Sequence, residues 1–185
     1  MDNGASSYRR FLEGDDNGLT EIVRDYKDGL ILYLNGFVGN IYAAEDLMEE
    51  TFLKLIIKKP KFKEESSFKT WLYAVGRNIA IDYLRRNSKR LDLSMDDVQT
   101  YLSDEQDVEN SYITGERNRV IYEVLKNLNP DYRQILWLAY FEDFSNSEIS
   151  TVMRKNKRQV KNLLYRAKNA LKNELNKEDF IHEEL

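Results

Sequence analysis

The stretch Lys155–Lys172, "KNKRQVKNLLYRAKNALK", contains no acidic residue, although the 185-residue chain around it carries 32 Asp and Glu against 28 Lys and Arg. At 100° per residue its apolar positions, Val160, Leu163, Leu164, Ala167 and Leu171, gather on one side, which predicts an amphipathic helix buried along that side. Arg158, Lys161, Asn162, Tyr165 and Asn169 gather opposite. A run of charge is commonly just a solvated face. Solvated helices, however, mix both signs to gain i,i+4 pairs, and this one does not. Long cations beside an amide and a phenol suit a polyanion: the cations reach phosphates, and the polar tips hydrogen-bond base edges in a major groove.

Immediately upstream, "FSNSEISTVMRKN" predicts a short helix with Ser145 as N-cap and Glu148 three residues on, a capping box. Its Ile149, Val152 and Met153 are spaced to pack on the basic helix. Short helix, tight turn, longer basic helix is helix-turn-helix order. Working further back, helices are expected at Pro130–Glu142 and near Tyr112–Leu128. Leu91–Ser111, "LDLSMDDVQTYLSDEQDVENS", is acidic and holds no amphipathic face, so it reads as a linker. In the first half, apolar spacings of three and four predict helices at Leu19–Phe37, closed by Gly36 and Gly39, at Tyr42–Lys58, closed before Pro60, and at Ser67–Arg86. The expected fold is therefore all-α. Two small helical domains, 1–90 and 112–176, are joined by a flexible acidic linker, 91–111; the second ends in a helix-turn-helix, and 177–185 is an acidic tail.

Composition removes several classes of function. The chain has no cysteine, which excludes disulfides, thiolate zinc sites and a cysteine nucleophile, and its one histidine, His182, lies in the acidic tail. No nucleophile–base pair, glycine-rich phosphate loop or metal-ligand spacing is visible, so neither enzymatic activity nor a cofactor is expected. The N-terminus lacks a signal-like apolar core, and no apolar run approaches the roughly 20 residues of a spanning helix. A cytoplasmic protein without membrane insertion is expected. The net charge of −4 does not oppose DNA binding, because local fields decide it, and "RRNSKR", Arg85–Arg90, adds a second basic cluster.

The segment "IYAAEDLMEETFLKLIIKK" carries one conventional core face: Ala44, Leu47, Met48, Thr51, Phe52, Leu55 and Ile56. On its far side Leu53 and Ile57 fall among Asp46, Glu49 and Glu50. Either another helix covers these two aliphatics or they form a protein-binding surface, and periodicity leaves both readings open. In "SFKTWLYAVGRNIAIDYLRR", Trp71, Val75, Asn78, Asp82 and Arg85 share one stripe, either a buried hydrogen-bonded network or a surface for stacked bases. A lone tryptophan is more often core.

"AEDLMEETFLKL", "FKTWLYAVGRNIAIDYLRR", the acidic linker, "LNPDYRQILWLAYFEDFSNSEIS" and the basic helix, in this order, resemble a bacterial RNA polymerase sigma factor of the two-domain extracytoplasmic-function group. The resemblance implies docking of Asp46, Glu49, Glu50, Leu53 and Ile57 on the clamp helices of the polymerase's largest subunit, with the flap as a further contact. It implies that the loop "KPKFKEESS", with Lys61, Phe62 and Lys63, captures a flipped base of the promoter's −10 element. The following helix would add single-strand contacts through Trp71, Arg77, Asn78, Arg85 and Arg86. The −35 readers would be Lys161, Asn162 and Tyr165, with Arg158, Arg166 and Lys168 nearest the phosphates. An anti-sigma factor is the implied regulator. Two positions depart from the family pattern: Glu49 stands where Gln is common, and Arg154 stands where most members have the turn glycine. Either the turn differs or Asn156 takes its left-handed position. The alternative reading is a stand-alone helix-turn-helix regulator, which leaves the Leu53 and Ile57 seam without a purpose.

Overall fold

The computed structural model describes residues 3–91 and 122–183, and the described residues are all-α, with no strand among them. Helix α1, Asn3–Leu12, precedes α2, Asp16–Val38. Asp15 caps α2 by accepting the Asn17 N–H, and Gly39 ends it in a left-handed conformation (φ 64°) with its own N–H on the Asn35 carbonyl. Asn40 then caps α3, Ile41–Lys58, by accepting the Ala43 N–H. Stop and start residues thus stand side by side, which folds α3 back along α2. Helix α4 spans Phe68–Leu91. After residues 122–126, which are helical, Asn129 caps α5, Pro130–Tyr140, with proline in the first turn where its missing N–H costs nothing. Helices α6, Asn146–Met153, and α7, Lys157–Glu183, complete the described chain.

The first core lies where α2 packs on α1, α3 and α4, and the second where α7 packs on α5 and α6. Gly18 permits the close approach of α1 to α2: a Cβ there would stand 2.2 Å from the Ser7 carbonyl oxygen. The two cores also meet, α4 against α6 and α2 against α5, and the buried apolar residues form one continuous cluster.

Several expectations change. Helix α1 has no counterpart in the sequence reading; ten residues followed by "EGDDNG" give too short a periodic window, although Tyr8 and Phe11 are buried. Gly36 lies inside α2, so Gly39 alone ends it. Ile56, assigned to the core face of α3, is 39% exposed. Helix α4 runs through the "RRNSKR" cluster to Leu91, and α5 ends at Tyr140 rather than Glu142. The backbone of α7 stays helical past Leu175 to Glu183, into the expected tail. The linker and most of the Tyr112–Leu128 helix lie outside the described residues.

Candidate functional site

The helix-turn-helix is built by two reciprocal capping pairs. At the start of α6 the Ser145 hydroxyl oxygen accepts the Glu148 N–H at 3.3 Å, while Glu148 Oε2 accepts the Ser145 N–H at 2.9 Å and its hydroxyl at 2.8 Å. At the start of α7 the Asn156 N–H donates to Gln159 Oε1, and the Gln159 N–H to Asn156 Oδ1, both at 2.8 Å. Between them Arg154 takes the left-handed conformation itself (φ 52°, ψ 42°), with its N–H on the Ser150 carbonyl. The turn therefore keeps a left-handed residue at the unusual position, and Asn156 is instead committed to capping α7. Lys155 pairs with Asp131 at 3.2 Å, tying the turn to α5.

On α7, Val160 and Ala167 are fully buried, and Leu163, Leu164 and Leu171 are half-buried. Arg158, Lys161, Asn162, Tyr165, Arg166 and Lys168 are all exposed, Tyr165 at 68%. Lys168 Nζ lies 5.4 Å over the Tyr140 ring, a contact with α5 that orients it. Among the described residues, Arg158, Lys161 and Arg166 make no ion pair. Their charges stand open to solvent.

Among the described residues, nothing covers the α3 seam. Leu53 is 50% and Ile57 70% exposed, Ile56 adds to them, and Asp46, Glu49 and Glu50 are exposed beside them. Leu53 and Ile57 form one wall of an open groove of about 450 Å³ whose other wall is α4, with Ile79, Asp82 and Arg86. Arg86 reaches Glu50 at 3.7 Å, so a residue expected on the −10 face also borders this groove. Ile79 and Asp82 were not singled out for it, since they sit on another helix and no periodicity within α3 reports them.

Along the Lys59–Ser67 loop, Lys61 and Lys63 are exposed, whereas Phe62 is half-buried. Its ring packs on Phe68 (5.6 Å between centroids) and Trp71 (5.4 Å), and Tyr8 closes the group at 5.4 Å from Trp71. Trp71 is thus held in an aromatic cluster with one part exposed. Arg77 and Asn78 are half-buried, and Arg85, exposed, lies 3.5 Å from Asp82. Arg77 Nε is buried without a hydrogen-bond partner among the described residues.

A further group was not legible in the sequence. Lys69 Nζ lies 2.8 Å from Glu142 Oε2 and donates to the Glu142 carbonyl at 3.0 Å. The Trp137 indole N–H donates to Glu142 Oε1 at 3.1 Å. Burial pushes the Tyr73 hydroxyl well above its usual pKa, and the Glu142 carboxylate beside it adds to the rise. Glu148 Oε1 accepts from the Ser67 and Thr70 hydroxyls, both at 3.2 Å. Partial burial pushes the Glu148 carboxyl up, but the Ser145, Thr70 and Ser67 hydrogen bonds together hold it below the usual range. The contacts of Lys69 with Glu142 and of Ser67 and Thr70 with Glu148 join residues more than seventy positions apart, which no local pattern reports.

Comparison with known proteins matches two separate stretches of the chain. Residues 22–90 match the family model of sigma-70 region 2, and residues 118–171 that of sigma-70 region 4. The ECF RNA polymerase sigma factor SigW of Bacillus subtilis (strain 168) is 26% identical over 171 residues, covering 88% of this chain and 91% of its own. SigM of the same organism is 29% identical over 154 residues, covering 83% and 93%. The sigma factor RpoE from Bartonella quintana, solved with the anti-sigma factor NepR, shares the fold: the TM-score is 0.69 at 20% identity, over 85% of this chain and 96% of that one. With an acidic aliphatic groove in the first domain, a cationic helix closing the second, and the two sigma-70 regions together matched in order over more than half the chain, this protein belongs to the extracytoplasmic-function sigma factors, DNA-binding proteins of promoter-specific transcription initiation.

Proposed function

We propose that the chain docks on core RNA polymerase through the α3 seam, reads a −35 element with α7, and captures and opens the −10 element with the Lys59–Ser67 loop and α4. The observation that carries this reading is the uncovered seam, Leu53 at 50% and Ile57 at 70% exposure within a ring of carboxylates. A solitary DNA-binding regulator has no use for it, and leaving such a strip in water costs solubility. In this reading Asp46, Glu49 and Glu50 steer a basic face of the polymerase's largest subunit, and Leu53 and Ile57 supply the desolvated centre. Lys161, Asn162 and Tyr165 face base edges; Arg158, Arg166 and Lys168 face phosphates. Flipping one base costs a few kcal/mol of stacking, which the Lys61, Lys63, Arg77, Asn78 and Arg85 surface offsets by binding the displaced strand. The protein breaks no covalent bond; polymerase does the chemistry. RpoE was solved with an anti-sigma factor, and we propose that this chain also takes such a partner.

The test is transcription by core polymerase from a library of random upstream sequences, with and without the protein. Transcripts that require the protein, from templates enriched in two separated sequence elements, are the expected result. No protein-dependent transcript contradicts the reading.

A further inference from the structure

We propose that α1 is the positioning element of the Lys59–Ser67 loop, acting through Tyr8 and Arg9 without touching DNA itself. The proposal rests on the reading of that loop as the base-capture segment.

The loop is conformationally unusual. It leaves α3 through Lys59 at φ 42° and bends again at Glu64, φ 58°. Both are left-handed residues with a Cβ, a costly backbone state that persists only where surrounding contacts hold it. Helix α1 supplies those contacts at three points. Lys59 Nζ lies 5.1 Å over the Phe11 ring. The Tyr8 hydroxyl donates to the Pro60 carbonyl at 2.8 Å. Arg9 Nη2 donates to Glu64 Oε1 at 2.7 Å, at the second left-handed residue. Between these points the Tyr8 ring packs on Trp71 and Phe68, and Phe62 packs on the same two rings. Burial pushes the Tyr8 hydroxyl up to about 12, so it remains a donor at any ordinary pH.

Helix α1 is itself anchored to the first core. Ser7 donates to Glu21 at 2.6 Å, Arg10 bonds to Glu21 and pairs with Asp15 at 2.9 Å, and Gly18 lets α2 approach the Ser7 backbone closely. The loop is thus braced from a rigid helix, with Phe62 turned inward and Lys61 and Lys63 outward. Bracing it before DNA arrives removes an ordering cost from base capture.

The experiment uses the holoenzyme and a promoter selected with the wild-type protein, comparing Arg9→Ala, Glu64→Ala, the double variant and Tyr8→Phe. Open complexes are read by permanganate reactivity of unpaired thymines. Loop release is read without DNA by trypsin cleavage after Lys61 and Lys63, the Lys59–Pro60 bond being resistant to trypsin. Each single variant should lower open-complex formation about three- to fivefold and speed cleavage: Arg9→Ala and Glu64→Ala lose an exposed pair, and Tyr8→Phe loses the hydrogen bond to the Pro60 carbonyl. The double variant should be no worse than Arg9→Ala, because both substitutions remove one contact. Affinity for upstream duplex should not change in any variant, and the melting temperature should not change in Arg9→Ala or Glu64→Ala, whereas Tyr8→Phe, which leaves the Pro60 carbonyl unpaired, should lower it. If Glu64→Ala leaves opening unchanged or raises it while Arg9→Ala lowers it, Arg9 meets DNA directly and the proposal is overturned. Unchanged opening and unchanged cleavage in all variants overturn it as well. A wild-type holoenzyme that opens no promoter overturns the base-capture reading of the loop, and the proposal with it.

Discussion

Arg154 occupies a left-handed turn that a glycine would take at no steric cost. The family resemblance marks this position as a departure and leaves open whether Arg154 or Asn156 bears the strain. Asn156 tolerates the conformation better, yet its side chain is used in the pair with Gln159. Arg154→Gly should therefore stabilise the protein by about 0.5–1 kcal/mol, the left-handed penalty less the added freedom of the unfolded chain. A thermal melt should show a rise of about 1–4 °C; a fall would mean that the arginine side chain does something the turn requires. On the neighbouring helix, Lys161→Ala should cost about 1–3 kcal/mol at one upstream promoter position if Lys161 reads a base. An equal loss on all sequences assigns it to a phosphate instead.

At the scale of elements, α2, α3 and α6 were legible because each has a long apolar stripe or an explicit capping signal. Helix α1 was not, since its burial comes from tertiary contacts with Phe68, Trp71 and Pro60 rather than from its own pattern. Ile56 was misplaced for a related reason: it lies at the edge of the stripe, where the position of the neighbouring helix decides exposure. Glu148 serves two helices at once, capping α6 and accepting from Ser67 and Thr70 at the start of α4. Its folded pKa lies below the unfolded one, so its contribution is complete above the ordinary glutamate range and is lost as pH falls through the folded value. Wild-type melting temperature should drop more steeply than that of Glu148→Gln on acidification below about pH 4. Parallel curves would show that the carboxylate contributes nothing by being charged.

At the scale of the whole molecule the two domains are in contact through Lys69–Glu142 and through Tyr73 on Phe144, 5.3 Å between centroids. This seam was illegible in the sequence, because it depends on how two finished surfaces meet. A folded chain of this length has a radius of gyration of about 16 Å. Elements 25 positions apart on DNA lie about 85 Å apart at 3.4 Å per base. The seam must therefore open for one molecule to read both elements. The chain has no cysteine, so dyes on Lys27→Cys and Asn173→Cys go only where they are placed. Energy transfer between them should be high in the free protein and fall on adding core polymerase and promoter; transfer that stays constant would contradict simultaneous reading. Docking of the exposed α3 seam is read by fluorescence anisotropy of the labelled protein titrated with bacterial core RNA polymerase, beside Leu53→Asp. Saturable binding by the wild type and none by a folded Leu53→Asp is the predicted result. Equal binding by both, or binding by neither while the full chain still binds duplex DNA, would contradict it.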